Sequence, residues 1–590
     1  MGNDAKRPFQ VILIKPSHYD DDGYVIQWAK SSVPSNTLAA IYGLARDSAE
    51  RAALGDDVAI GVEAWDESNT RIRPERMARR IAAGGGKALV MLVGVQTNQF
   101  PRAVDIALRF VACGVPVCIG GFHVSGCVAM LRELPVEITE AMESGISLFA
   151  GELEGRLDGL LRDADRGRLE PLYRFEADLP ALEGQPVPYL PAEVLSRMSG
   201  QRASFDAGRG CPFLCSFCTI INVQGRKSRH RTADDVEKIV RENAAQGVRR
   251  FFITDDNFAR NRDWEAILDR LAEIRHGSAI GLRITIQVDT MCHKIPNFIE
   301  KAGRAGVQRV FIGLENIHPE SLSGSRKNQN KITEYRTMLQ EWHRVGALTI
   351  AGYILGFPND TRESILRDVR IIQEELPVDL LEFFILTPLP GSQDHKEMLE
   401  AGVALDPDMN FYDSAHVTAP HARMSAEEWR RAYEDAWAAY YTPEHVARVL
   451  RRVRQWGYSV SKTRWMMFTF AFASQVEKMH PLESGMFRRK YRRDRRRGLA
   501  LENPLVFYPR YAWETAVKAV GALRLLAKFQ LLYRRTMREE IGDASNDVAM
   551  QPVCDSEMDE IGLFTVSDAA RSAVAQSRKK AREKGVAVGT

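Results

Sequence analysis

The chain has 590 residues, 45% of them apolar and 27% charged, with a formal net charge of +3, so at about 150 residues per domain it has room for three or four cores of ordinary globular composition. Eight cysteines are too sparse for a disulfide scaffold. The start MGNDAKRPFQVILIKP lacks a signal-peptide pattern, Lys6 breaks the myristoylation pattern, and neither a spanning run of about 20 apolar residues nor a solenoid repeat occurs.

Phe9–Ile14, Val58–Val62, Ala88–Val93, Val115–Ile119 and Ser147–Ala150 read as short buried strands, with helical stretches such as Ser35–Arg46 and Pro101–Ala112 between them. This alternation predicts a parallel, doubly wound sheet over residues 8–175, whose ligands would lie beyond the carboxyl ends of the strands. Those ends carry Lys15-Pro16-Ser17, Gly94-Val95-Gln96-Thr97-Asn98, Gly120-Gly121-Phe122-His123 and Gly151-Glu152. The first strand runs into Lys15-Pro16-Ser17-His18 without the glycine fingerprint of a nicotinamide site, and Ala83–Lys87 lacks the Ser or Thr of a P-loop. A linker rich in Pro, Gly and acidic residues follows over 176–197. From 198 to 405 six further strands are predicted: Ala203–Ala207, Arg250–Thr254, Arg283–Val288, Val310–Leu314, Thr349–Leu355 and Leu380–Leu386. Helices such as Ala233–Ala245 and Asn330–Val345 separate them. Six βα units suit a partial parallel barrel with its chemistry at the carboxyl end. Residues 406–541 are mostly helical in pattern, Ser425–Tyr440 opening on a good helix entry, and the polar tail 542–590 is expected to be at least partly disordered.

Directly after the first barrel strand stands Gly208-Arg209-Gly210-Cys211-Pro212-Phe213-Leu214-Cys215-Ser216-Phe217-Cys218. Three thiolates spaced CxxxCxxC on a short loop can wrap one face of an iron–sulfur cube, leaving the fourth iron open to a ligand. Zinc or inert thiols are the alternative. Zinc would need a fourth ligand, for which His230 is the nearest downstream candidate.

The loop resembles that of the radical SAM superfamily, with Phe217 as the aromatic residue before the third Cys. The resemblance implies a [4Fe-4S] cluster on Cys211, Cys215 and Cys218, with S-adenosylmethionine (SAM) bound at the open iron and cleaved to a 5′-deoxyadenosyl radical. It also implies SAM contacts at Asp255-Asp256-Asn257 after the second barrel strand and at Glu315 after the fourth. Gly352 and Gly356 of GYILGFP would back the adenine. Asp255-Asp256-Asn257-Phe258 and the sheet ahead of the barrel are similar to cobalamin-binding (class B) members, over roughly residues 8–405. That implies corrin contacts at Gln96, Thr97, Asn98, Gly120, Gly121, His123, Gly151 and Glu152. The DxHxxG motif that supplies a cobalt-ligating His is absent, and a loop histidine bonded to backbone is an equal reading of His123. The implied fold is α/β: an N-terminal Rossmann-like cobalamin-binding domain, a radical SAM partial (β/α)6 TIM barrel and a mostly helical C-terminal region. The implied activity is cobalamin-dependent methylation of an unactivated carbon. A radical cyclase or rearrangement enzyme, a radical SAM enzyme without corrin, and a non-catalytic iron–sulfur scaffold are the rivals.

The implied partners are a small-molecule or lipid substrate and an electron donor such as flavodoxin or ferredoxin, in the cytoplasm. At the C-terminal end, the basic run Arg488–Arg497, the mixed segment Asn503–Tyr511 and the apolar helix Ala516–Leu532 could rest on an anionic inner membrane face. A packed helical domain with a solvated basic face is the favoured reading of the same residues, and nucleic acid the weakest.

Overall fold

The computed structural model describes residues 6–278, 280–327, 330, 332–540, 547–552 and 568–583. Its strands in chain order are β1 Arg7–Lys15, β2 Gln27–Ser31, β3 Val58–Asp66, β4 Ala88–Leu92, β5 Val117–Gly120, β6 Ser147–Ala150, β7 Leu172–Arg174, β8 Arg202–Phe205, β9 Gly208–Arg209, β10 Arg229–His230, β11 Arg250–Ile253, β12 Arg283–Val288, β13 Val307–Glu315, β14 Leu348–Leu355, β15 Leu380–Ile385 and β16 Gly485–Arg489. The chain divides into two compact units. One comprises Met1–Arg283, Pro388–Asp413 and Ser484–Ala512, and the other Ile284–Thr387, Ser414–Glu483 and Trp513–Thr590.

In the first unit six parallel strands pair in the order β3-β1-β4-β5-β6-β7. The apolar runs VILI of β1 and ALVML of β4 are buried on both faces, the pattern expected when helices cover both sides of a parallel sheet. Strand order reverses between β1 and β4, so the crevice beyond their carboxyl ends is the topological switch point. The predicted strands β1, β3, β4, β5 and β6 all form. Three-residue β7 is too short to show an alternation in sequence. The same unit holds the parallel pair β8–β11 and the antiparallel pair β9–β10. The antiparallel pair of β2 with β16 takes in part of the basic run. That run is stitched down locally: Arg488 Nη2 lies 2.9 Å from Asp20 Oδ2, Lys490 Nζ 3.2 Å from Asp22 Oδ2, and Asp494 itself accepts from Arg71 at 2.6 Å.

The second unit carries the parallel strands β12, β13, β14 and β15, paired in that order, so the six predicted barrel strands are all present across the chain. Their outer side is covered by helices; Phe383 of β15 meets Trp437 and Tyr440 of helix Ala426–Tyr440 edge-on, at 5.2 and 6.3 Å between ring centres. That helix starts where its sequence signal places it, with Ser425 and Glu428 forming a reciprocal cap. Of the polar tail, Asp568–Glu583 is helical with Ala570, Ala573 and Val574 buried, and Val548–Met550 forms one turn. In these stretches small apolar residues find a surface to cover; the remaining tail positions and Cys554 lie outside the described residues. No helix of the described residues is long and apolar enough to cross a membrane.

Candidate functional site

The cysteine loop is an excursion closed at its base. β9 before it pairs with β10 after it, Arg209 opposite Arg229 and Gly208 opposite His230. Inside this closure Cys211 N donates to Gly225 O at 3.2 Å and Cys218 N to Cys215 O at 3.2 Å. Gly210 has φ 90°, and a Cβ there would lie 2.6 Å from Lys227 O and 2.9 Å from Gly225 O, so only glycine fits between the strand and the first cysteine. Cys215 is buried, Cys211 and Cys218 half-buried, and all three are reduced thiols. Burial pushes the Cys218 thiol up to about 12. Three soft donors held on one loop fit an iron–sulfur cluster, and a bound cation would ionise the buried Cys218 thiol. His230, the candidate fourth zinc ligand, is tied into β10 at the loop's far base.

Two neighbouring aspartates do different things. Asp255 Oδ1 accepts from Ala207 N at 2.7 Å and Gly208 N at 2.8 Å, and its Oδ2 accepts from Asn261 Nδ2 at 2.9 Å. It is thus committed to holding the strand that leads to the cysteines. Asp256 instead lines a cavity of about 280 Å³ together with Gly208, Arg209, Thr219, Gln224 and Thr254 from the cysteine-loop side, and Asn36, Thr37, Gln96 and Phe122 from the carboxyl edge of the first sheet. Burial pushes both carboxyls up to about 7, opposed at Asp256 by the Gly210 amide and Arg209. A cationic group arriving in the cavity would draw Asp256 back to its ionised form. Asn257 is buried at the start of the following turn, and Phe217 is half-buried on the loop.

The expected corrin contacts separate in the same way. Gln96 faces the cavity, whereas Thr97 and Asn98 are buried. Gly120 and Gly121 serve backbone packing, since a Cβ on Gly121 would stand 2.1 Å from Val95 N. His123 is 0% exposed, with Nδ1 3.4 Å from Thr97 Oγ1 and its ring against Phe100. Burial, and then His395, push its imidazole down to about 3. It is a neutral histidine enclosed between Thr97 and Phe100. Gly151 takes φ 109° where a Cβ would lie 2.7 Å from Phe175 C.

Glu152 receives Arg209 at 2.7 Å and Arg229 at 2.6 Å. Arg209 also reaches Glu154 at 2.7 Å and Asp206 at 3.1 Å, so one buried guanidinium serves three carboxylates. This network joins the β6 loop of the first sheet to the strand carrying the cysteines. Sequence reading missed Arg209, Arg229 and Asp206; the one available signal was an arginine set between two glycines just ahead of Cys211.

In the second unit, Glu315 adopts φ 61° at the end of β13, where the register with β14 shifts, and its carboxylate pairs with Lys327. A non-glycine residue in the left-handed region is strained, and the Lys327 pair helps to hold it there. The two glycines expected at the adenine have packing reasons. A Cβ on Gly352 would meet Phe311 at 2.9 Å, and one on Gly356, at φ 101°, would stand 1.8 Å from the Trp429 ring.

Residues 207–372 match the radical SAM superfamily. The bacteriochlorophyllide d C-12(1)-methyltransferase of Chlorobaculum tepidum is 27% identical over 58% of this chain and 72% of its own length. The bacteriochlorophyllide d C-8(2)-methyltransferase of the same organism is 26% identical over 67% of this chain and 88% of its own. Among solved structures, the radical SAM methyltransferase TsrM from Kitasatospora setae, with cobalamin and a [4Fe-4S] cluster bound, superposes with a TM-score of 0.55 at 18% identity, covering 74% of this chain and 89% of that one.

Proposed function

This chain is a radical SAM enzyme whose relatives include methyltransferases, one of similar fold solved with cobalamin and a [4Fe-4S] cluster bound, and from that premise we propose how its own residues serve methylation of an unactivated carbon on a small-molecule acceptor. The observation that carries the reading is the cavity shared by the cysteine loop, Asp256 and the switch-point edge of the first sheet. Cys211, Cys215 and Cys218 would hold the [4Fe-4S] cluster, which when bound supplies the electron that cleaves SAM. Asp256 offers a carboxylate for the ammonium of SAM, and Asp255 positions the strand between them. On the sheet side Gln96, Asn36 and Thr37 present amide and hydroxyl groups of the kind that would hydrogen-bond corrin side chains, and among the described residues no histidine lines this cavity. The compartment proposed is the cytoplasm, with a flavodoxin- or ferredoxin-type donor reducing the cluster and membrane contact confined to the C-terminal part.

Anaerobic reconstitution tests this reading. The chain should bind about four irons with matching sulfide, plus cobalamin, and with SAM and a reductant release 5′-deoxyadenosine. S-adenosylhomocysteine formed alongside marks methyl transfer, and its absence during turnover marks cyclisation or rearrangement. Cys215→Ala should lose both the cluster absorbance and SAM cleavage. Zinc in place of iron, or full cleavage by that variant, would overturn the assignment.

A further inference from the structure

The helix Pro504–Arg538 is apolar on two sides, and only one of them is covered. Along Trp513–Arg538 the inner side packs within its own unit. Phe529 meets Phe468 at 6.1 Å between ring centres, Gly521 lies against Val476, Lys518 Nζ is 2.6 Å from Glu477, and Thr536 O accepts from Arg454 at 2.8 Å. On the other side Trp513, Val517, Val520 and Leu531 recur at helical spacing within a sector of about 60° that Arg524, Arg535 and Arg538 share, with Leu523 about 60° beyond it. They stand in solvent: Trp513 is 72% exposed, Leu523 66% and Leu531 69%. Exposed apolar side chains in such a row mark an interaction surface.

Charge decides what that surface meets. Between Trp513 and Arg538 the helix carries Lys518, Arg524, Lys528, Arg534, Arg535 and Arg538 against a single acid, Glu514. Arg524, Lys528, Arg534, Arg535 and Arg538 are exposed. Two copies joined through this face would bring like charges together. An anionic lipid surface satisfies both features, because apolar side chains enter the acyl boundary while arginines meet the headgroups. The helix cannot span, so it would lie flat, its apolar row about 27 Å long.

We propose that the outer face of Trp513–Arg538 docks this enzyme on anionic bilayers. The inference goes beyond the assigned chemistry and stands apart from it. The basic run around Arg488–Asp494 is not the docking element, since acids of its own unit hold Arg488 and Lys490.

Flotation of the full-length, anaerobically reconstituted protein with vesicles tests it. The protein should rise with phosphatidylcholine vesicles containing phosphatidylglycerol, much less with phosphatidylcholine alone, and added salt should weaken the association. Trp513→Glu combined with Leu523→Glu should reduce binding by roughly tenfold or more, and Arg534→Ala with Arg535→Ala should reduce it on anionic vesicles only. Release of 5′-deoxyadenosine without vesicles should be unchanged in both variants, which separates failure of docking from failure of the radical chemistry. The proposal is overturned by no binding to anionic vesicles, by binding indifferent to these substitutions, or by a dimer that Trp513→Glu dissolves. Binding that appears only after deletion of the acidic, apolar stretch 553–567 would assign the face to that stretch and equally overturn it.

Discussion

Arg209 shows what a single side chain contributes here. A guanidinium has five donors in a fixed fork, and three carboxylates from two stretches of chain, Glu152 and Glu154 on one and Asp206 on the other, take them up. Removing one partner from a buried ionic cluster leaves uncompensated charge, which costs about 3–5 kcal/mol. Arg209→Met should therefore lose stability of that order in urea denaturation, and Arg209→Lys should recover part of it, because an ammonium cannot reach three acceptors at once. A loss under about 1 kcal/mol in the Met variant would mean that Arg229 and Arg231 suffice for the acids. At this scale the sequence showed the chemistry of the cysteines but not the division of labour between Asp255 and Asp256. Both lie on the same turn, and which of them faces the cavity depends on a partner, Asn261, whose position no local pattern encodes.

At the scale of elements, strands were legible and their inner faces were not. Runs such as ALVML announce burial on both sides, and Ser-Ala-Glu-Glu announces a helix start, because these depend on neighbours in sequence. The short pairs β9–β10 and β2–β16 depend on partners far along the chain, which periodicity cannot find. Glu382 belongs to the same blind spot. On β15 its neighbour Phe383 faces the helices, so Glu382 turns to the opposite face with Phe384, beside Gly352. It is 2% exposed, one carboxylate oxygen has no hydrogen-bond partner, and burial raises its pKa from 4.5 to about 8. The folded state then holds this proton more tightly than the unfolded chain. The resulting stability is full below about pH 4.5 and is lost as pH rises through about 8. Glu382→Gln should accordingly melt higher than the parent in mildly alkaline buffer, with the gap shrinking as the pH falls toward 5. A constant offset between the two melting curves across that range would show that Glu382 stays ionised in the fold.

For the molecule as a whole, composition and the order of strands and helices were enough to foresee a doubly wound sheet followed by a partial barrel, and the three cysteines pointed to the radical SAM superfamily. Composition is silent on which parts of the tail find partners. Arg452, 2% exposed on helix Pro443–Gln455, receives Asp547 through both carboxylate oxygens at 2.7 and 2.8 Å, and Gln340 donates to Ala549 O and Gln551 O. A stretch that reads as polar thus completes a buried cation. Asp547→Ala should destabilise the fold by about 2 kcal/mol, and truncation before position 547 by at least as much, measured by thermal melting. An unaltered melt would show that the carbonyls of Gln373 and Leu376 alone content Arg452.

The seat of Gly126 has a bearing on modularity. Its Cα is pressed so close to Pro390 and Gly391 that no side chain could be added, and the neighbouring Asn222 donates to Gly391 O at 2.9 Å. The stretch leaving the last barrel strand is therefore moulded to the opening sheet. A chimera that transplants only the front sheet onto a cousin's barrel would carry away Glu152, Glu154 and Gly126 and strand their mates. The natural unit of exchange, by recombination or by design, is a discontinuous piece made of three stretches of chain.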